Sequence, residues 1–145
     1  MRCRTMLLLF STLVWFGCER ESKVSDVDIP ILTLKEVDDA LSEPNVVLVD
    51  ARKPDFFAQG HIPGAINIYL PDIRERDSRL ADAKRIIVYS QSVRDPLGVA
   101  AAKRMRAMGY VNVQEYKGGI REWEFAGRSL VGSPGEADAR RDVEK

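Results

Sequence analysis

The chain is poor in the side chains that most often build thiol, disulfide and metal sites. It holds 2 cysteines, Cys3 and Cys18, and 1 histidine, His61. Both cysteines fall within the first 18 residues, so everything from Glu19 to Lys145 is free of thiols. A disulfide framework and a cysteine metal site are thereby excluded from the folded part, and a lone histidine excludes a multi-histidine metal cluster. No metal and no cofactor are expected. The formal net charge is zero, so there is no general electrostatic pull toward nucleic acid, which is not expected as a partner. Long apolar runs are also missing. The run Met6 to Phe16, interrupted by Ser11 and Thr12, falls well short of the roughly 20 residues that span a bilayer. Internal repeats and low-complexity tracts are absent. What remains is an ordinary globular composition, 45% hydrophobic and 30% charged, in 145 residues, enough for one domain with a single core, expected to act as a monomer.

The start of the chain has its own pattern. Arg2 and Arg4 precede the short apolar run, and no acidic residue occurs before Glu19. A basic start followed by an apolar segment of this length reads as a secretory signal. Gly17-Cys18 resembles the cleavage site of a bacterial lipoprotein, which implies lipidation of Cys18. The expected division is a signal peptide over 1–17, a lipidated Cys18 with a polar tether over 18–28, a folded domain over 29–132 and a charged tail over 133–145. The tail contains Pro and Gly and a single valine, a composition expected to be disordered. Export to the periplasm or cell envelope, with membrane attachment through the lipid, follows from this division.

Within the folded part, strand and helix signals alternate. Ile29-Pro-Ile-Leu reads as a short edge strand, where Pro30 is tolerated. Thr33 and Glu36 have the spacing of a capping box, for a helix to about Ser42 with Leu34, Val37 and Leu41 inward. Val46 to Val49 is a β-branched run of the kind covered on both faces, and Asp50 and Arg52 follow at its carboxyl end. Pro54 opens a short helix whose Phe56 and Phe57 are expected in the core, as is Trp123. Gly60-His-Ile-Pro-Gly is turn chemistry leading to a strand over Ala65 to Ile68. A loose helix and a charged loop are expected from Pro71 to about Asp82, and a last strand over Val111 to Glu115. Gly118-Gly119 then turns into a final helix. Alternating strands and helices argue for an α/β fold, an open parallel sheet of about five strands with helices on both faces.

The organising stretch runs from Arg85 to Lys103. Arg85 to Tyr89 is an apolar β-rich run, Asp95 suits an N-cap, and Pro96 suits the first helical turn because its missing N–H needs no partner there. Leu97, Ala101, Met105 and Met108 then make one apolar stripe, with Lys103 and Arg106 facing outward and Arg104 bordering the stripe. Ser90, Gln91, Ser92, Val93, Arg94 and Asp95 therefore lie between the carboxyl end of a strand and the amino end of a helix, where free N–H groups and the helix dipole favour an anion.

This stretch, together with Val-Leu-Val-Asp-Ala-Arg (47–52), Gly-His-Ile-Pro-Gly-Ala-Ile-Asn-Ile (60–68), Gly-Tyr-Val-Asn-Val (109–113) and Gly-Gly-Ile-Arg-Glu-Trp (118–123), resembles the rhodanese-like family. The five motifs occur in the family's order over roughly residues 30–132. The resemblance implies an open α/β sheet and a loop whose first residue is a cysteine that carries sulfur as a persulfide. Here that position is Ser90. The family's short members often carry a glycine where this chain has Val93, and the distance from Ser90 to Gly109 is about two residues longer. Both departures predict an altered cup. The resemblance also places Asp50, Arg52 and His61 as structural polar residues bracing the sheet edge.

Sulfur transfer needs a thiolate near neutral pH, which a serine hydroxyl cannot supply. No thiol catalyst is therefore expected. The nucleophile elbow of hydrolases needs Gly-x-Ser-x-Gly, and Val88 and Ser92 stand at its glycine positions. The expectation is a binding module whose 90–95 loop takes a small anion or a protein segment at the envelope. Two alternatives stand beside it: sulfur transfer through an accessory thiol, and a purely structural envelope module.

Overall fold

The computed structural model describes residues 28–132. The expected signal peptide, Cys18, most of the tether and the charged tail lie outside that range. Five strands, β1 (Ile31–Leu32), β2 (Val46–Asp50), β3 (Ile66–Asn67), β4 (Arg85–Tyr89) and β5 (Val113–Tyr116), form one sheet in the order β1-β5-β4-β2-β3. Every pairing is parallel. Four α-helices connect and cover them: α1 (Leu34–Leu41), α2 (Pro54–Gln59), α3 (Leu97–Ala107) and α4 (Gly119–Phe125). Among the described residues no helix is long and apolar enough to cross a membrane.

Alternation along the strands divides the core into two layers. Val49, Ile86, Val88 and Val113 face Ala101, Ala102 and Met105 of α3. Leu48, Ile87, Tyr89 and Tyr116 face Val37 and Ala40 of α1 and Ile120 and Trp123 of α4. Strand β4 is at the centre, with Ile86 through Tyr89 at most 1% exposed. Each such side chain contributes about 1.5–3 kcal/mol on burial. The rigid middle of the sheet thus carries the loop that follows Tyr89.

Local chemistry sets the helix ends. The Thr33 N–H donates to Glu36 Oε2 at 2.8 Å and the Glu36 N–H to Thr33 Oγ1 at 3.4 Å, closing the capping box of α1. Leu34 and Leu41 are half-buried, while Val37 and Ala40 form the buried face. Pro30 stands immediately before the edge strand β1, and its carbonyl accepts the Glu115 N–H at 2.8 Å.

Four expectations away from the 90–95 loop need correction. Phe56 is 50% exposed rather than in the core, because α2 is only six residues long and turns Phe57 inward instead. The last strand begins at Val113, not Val111: Asn112 takes φ +55 and leaves Val111 72% exposed. The strand expected over Ala65 to Ile68 is confined to Ile66–Asn67. The region 71–82 forms two 3-10 turns, Leu70–Asp72 and Ser78–Leu80, separated by Arg76 at φ +53, and the Asp77 carboxylate accepts the Arg79 N–H.

Candidate functional site

The carboxyl ends of β2 and β4 lie side by side, with Asp50 in register with Tyr89. This is the edge at which open α/β sheets place their sites. Asp50 is fully buried and Arg52 only 6% exposed. The Arg52 guanidinium donates from Nε to Asp50 Oδ1 at 3.0 Å and from Nη2 to Oδ2 at 2.7 Å, a two-pronged pair. Its Nη2 also reaches the Gly60 carbonyl at 2.7 Å, and Nη1 reaches Gln91 Oε1 at 3.1 Å. One side chain therefore joins the end of β2, the turn after α2 and the loop after β4. Asn67 adds bonds from Nδ2 to the carbonyls of Asp50 and Arg52. The Tyr89 hydroxyl accepts the Ile62 N–H at 3.2 Å, and burial raises its pKa far above the ordinary phenol value.

His61 belongs to a different contact. Its Nδ1 lies 2.9 Å from the Phe57 carbonyl, so that nitrogen carries the proton. The ring stacks on Phe57 with centroids 3.7 Å apart, and its backbone N–H and carbonyl both bond Val131. The histidine fastens α2 to the segment after α4.

The 90–95 loop is braced from both sides. The Ile120 and Arg121 N–H groups, at the start of α4, donate to the carbonyls of Ser90 and Gln91 at 3.1 Å each. That approach requires Gly119, which has φ +62 and whose added Cβ would stand 2.4 Å from the Ser90 carbonyl oxygen. Within the loop, the Asp95 N–H donates to the Ser92 carbonyl at 2.9 Å. The Asp95 carboxylate accepts the Gln91 N–H at 3.2 Å and the Leu97 N–H at 3.0 Å. Pro96, not Asp95, is the N-cap of α3, one residue later than expected, and Asp95 holds the first helical N–H from outside while also reaching back across the loop. Val93 is 60% exposed and, among the described residues, the only non-glycine residues with positive φ are Asn45, Arg76 and Asn112. The loop therefore closes without the conformation a glycine at position 93 would serve.

Two depressions flank the loop. The larger, a groove of about 800 Å³, is lined by residues that include Arg52, Phe56, Tyr69, Gln91, Asp95 and Arg121. The smaller, about 430 Å³, is lined by residues that include Ile31, Val93, Arg94, Asp95, Glu115 and Lys117. The loop residues singled out from sequence are thus divided: Gln91 borders the groove, Val93 and Arg94 border the other side, and Asp95 borders both. Ser90 itself is 3% exposed. Its Oγ and the Glu115 carboxylate both lie beside Gly98, where an added Cβ would be 3.2 Å and 2.9 Å from them.

Glu115 escaped the sequence reading. It is 4% exposed, on the α3 face of β5, and its pKa is raised first by burial, with Lys117 and the Val99 N–H acting against that rise. The signal for it is a carboxylate two residues after Val113, a spacing that puts both on one face of a strand.

Comparison with known proteins bears on this site. Residues 33–126 match the family model of the rhodanese-like domain. A thiosulfate:glutathione sulfurtransferase of Saccharomyces cerevisiae is 30% identical over 123 residues, covering 75% of this chain and 87% of the yeast protein. An uncharacterized protein of Bacillus subtilis is 36% identical over 77 residues, 52% of this chain, and the chain spans 59% of that protein's length. Among solved structures, the BH2092 protein from Bacillus halodurans superimposes with a TM-score of 0.66 at 25% identity, over 72% of this chain and 77% of that one.

Proposed function

Because this chain belongs to the rhodanese-like domain family and carries Ser90 where the family resemblance places a cysteine, we propose that it is a binding module without thiol-dependent sulfurtransferase activity. The observation that carries this reading is chemical. Sulfane sulfur is accepted by a thiolate, a serine hydroxyl ionises far outside the neutral range, and no cysteine occurs from Glu19 to Lys145. The groove supports a protein segment as the ligand in preference to a small anion. Its walls include apolar surface from Phe56, Leu70, Leu97, Ile120 and Leu130, set beside the polar groups of Arg52, Gln91 and Asp95. Apolar walls with a few convergent polar groups are the usual make-up of a ligand site. The sequence pattern around Cys18 supports a location at the cell envelope, with the domain exported and held to the membrane by lipid.

A second reading is sulfur transfer through an accessory thiol such as glutathione. The activity of the yeast relative, a thiosulfate:glutathione sulfurtransferase, favours it. Both readings are tested by one assay. The segment Glu19 to Lys145 is given thiosulfate with cyanide as acceptor, and separately thiosulfate with glutathione. The binding module shows no turnover in either mixture. Turnover with glutathione alone establishes the accessory-thiol enzyme, and turnover with cyanide overturns the chemical argument, since that segment contains no thiol.

A further inference from the structure

We infer that Asp95 sets the ligand class of the loop: its carboxylate occupies the loop amides that would otherwise hold a small oxyanion, so the natural chain refuses such anions there. This deepens the binding-module reading and rests on it. Two observations point the same way. First, the Gln91 and Leu97 N–H groups already donate to Asp95 at 3.2 Å and 3.0 Å. An entering thiosulfate or phosphate would have to displace a covalently tethered anion, whose effective concentration is high. Second, Gln91 has no freedom to offer its amide elsewhere, because its carbonyl accepts the Arg121 N–H and its Oε1 accepts Arg52 Nη1. The groove also carries Lys53 and Arg121 beside Arg52, so the refusal concerns the loop amides and not the whole groove. Arg52 is neutralised by Asp50 at 2.7 Å, and Arg94 borders the smaller depression rather than the groove. A second negative charge next to Asp95 would also be repelled in a half-buried setting, where Coulomb terms exceed their value in water. The ligand that remains admissible is one that engages the groove walls without bringing an oxyanion to the loop.

The test uses the full chain in detergent and follows backbone amide resonances. Thiosulfate and inorganic phosphate are titrated separately into the natural protein and into Asp95→Asn and Asp95→Ser, each of which keeps an acceptor for the Leu97 N–H. The expected result is no saturable shift of Gln91 or Leu97 in the natural chain, and a saturable shift in at least one variant, with affinity about tenfold or more above the natural limit. Saturable shifts at Gln91 in the natural chain overturn the inference, and so does the absence of any gain in both variants. An anion bound elsewhere leaves Gln91 unshifted and counts as refusal at the loop. A second measurement on the natural chain stands if both variants unfold: the Gln91 amide exchanges with deuterium more slowly than that of exposed Val93, and equal exchange overturns the inference. Thiosulfate binding at the loop without turnover would remove the role of Asp95 while leaving the non-catalytic reading intact; turnover would remove the latter.

Discussion

Ser90 and Glu115 meet across a single missing side chain. An added Cβ on Gly98 would stand 3.2 Å from Ser90 Oγ and 2.9 Å from Glu115 Oε1. Alanine in a helix interior gains about 1 kcal/mol over glycine, whereas overpacking a buried site costs about 1–3 kcal/mol. Glu115 is 4% exposed and its carboxylate is held by the Val99 N–H, so the second effect wins. Gly98→Ala is expected to lower stability by about 1 kcal/mol in urea unfolding. In a Glu115→Ala background the same substitution is expected to raise stability. A stabilising Gly98→Ala in the natural chain would show that Glu115 yields easily.

Removal of Arg52 should be among the most damaging single changes. Asp50 is fully buried, and Arg52→Ala leaves its carboxylate without its charged partner, at a cost of about 3–5 kcal/mol. That is a large part of the 5–15 kcal/mol typical of a domain. Arg52→Lys keeps the charge but not the fork that reaches Asp50, Gly60 and Gln91 together, and is expected to recover only part of the loss. Equal stability of the lysine variant, measured by chemical denaturation, would mean that charge alone suffices.

Stability should fall with pH because of Glu115. Burial raises its pKa in the folded state above the ordinary carboxylate value, while Lys117 and the Val99 N–H offset part of that rise. The folded state therefore holds the proton more tightly than the unfolded chain. The contribution is fully present below the unfolded pKa and is lost as pH rises through the folded one. Glu115→Gln removes this term. The difference in urea midpoint between Glu115→Gln and the natural chain should grow as pH rises from the acid range to neutrality. A constant difference would place the carboxylate in a more hydrated setting.

A thiol placed at position 90, where the family resemblance expects one, should not by itself give sulfur transfer. Ser90→Cys places sulfur at a position 3% exposed, beside the Glu115 carboxylate, with the Gln91 amide bonded to Asp95. A neighbouring negative charge and burial both disfavour a thiolate. The expected thiosulfate–cyanide activity of Ser90→Cys is near background, and that of Ser90→Cys with Asp95→Ser is at least about tenfold higher, close to 1.4 kcal/mol in the barrier. Full activity in the single variant would show that position 90 is reachable and that Asp95 is no obstacle.

What was legible in the sequence was local or periodic. The Thr33–Glu36 capping box needs only four neighbouring residues, and the Val46 to Val49 run and the Leu97–Met105 stripe carry their period on their face. The tertiary contacts were not legible. Nothing in the spacing says that Asp95 reaches back to Gln91 as well as forward to Leu97, or that the start of α4 grips the loop carbonyls through Gly119. Phe56 misled because an aromatic pair in a six-residue helix has room to bury only one ring. Glu115 was hidden by its own strand, where a carboxylate on the α3 face looks like any polar residue at a sheet edge.

The described residues begin beside one depression at the loop and run past the other near their end. Asp28 and Ile29 border the smaller depression together with Val93 and Arg94, whereas Leu130 borders the groove with Gln91 and Asp95. The bridge between His61 and Val131 fixes the second of these points. The chain leaves Gly132 beside Ala58 and His61, whereas Asp28 stands at the depression that Val93 and Arg94 border. A group fused directly at Asp28 would therefore stand beside the smaller depression, and ligand experiments on the domain trimmed to that residue call for leaving that end free.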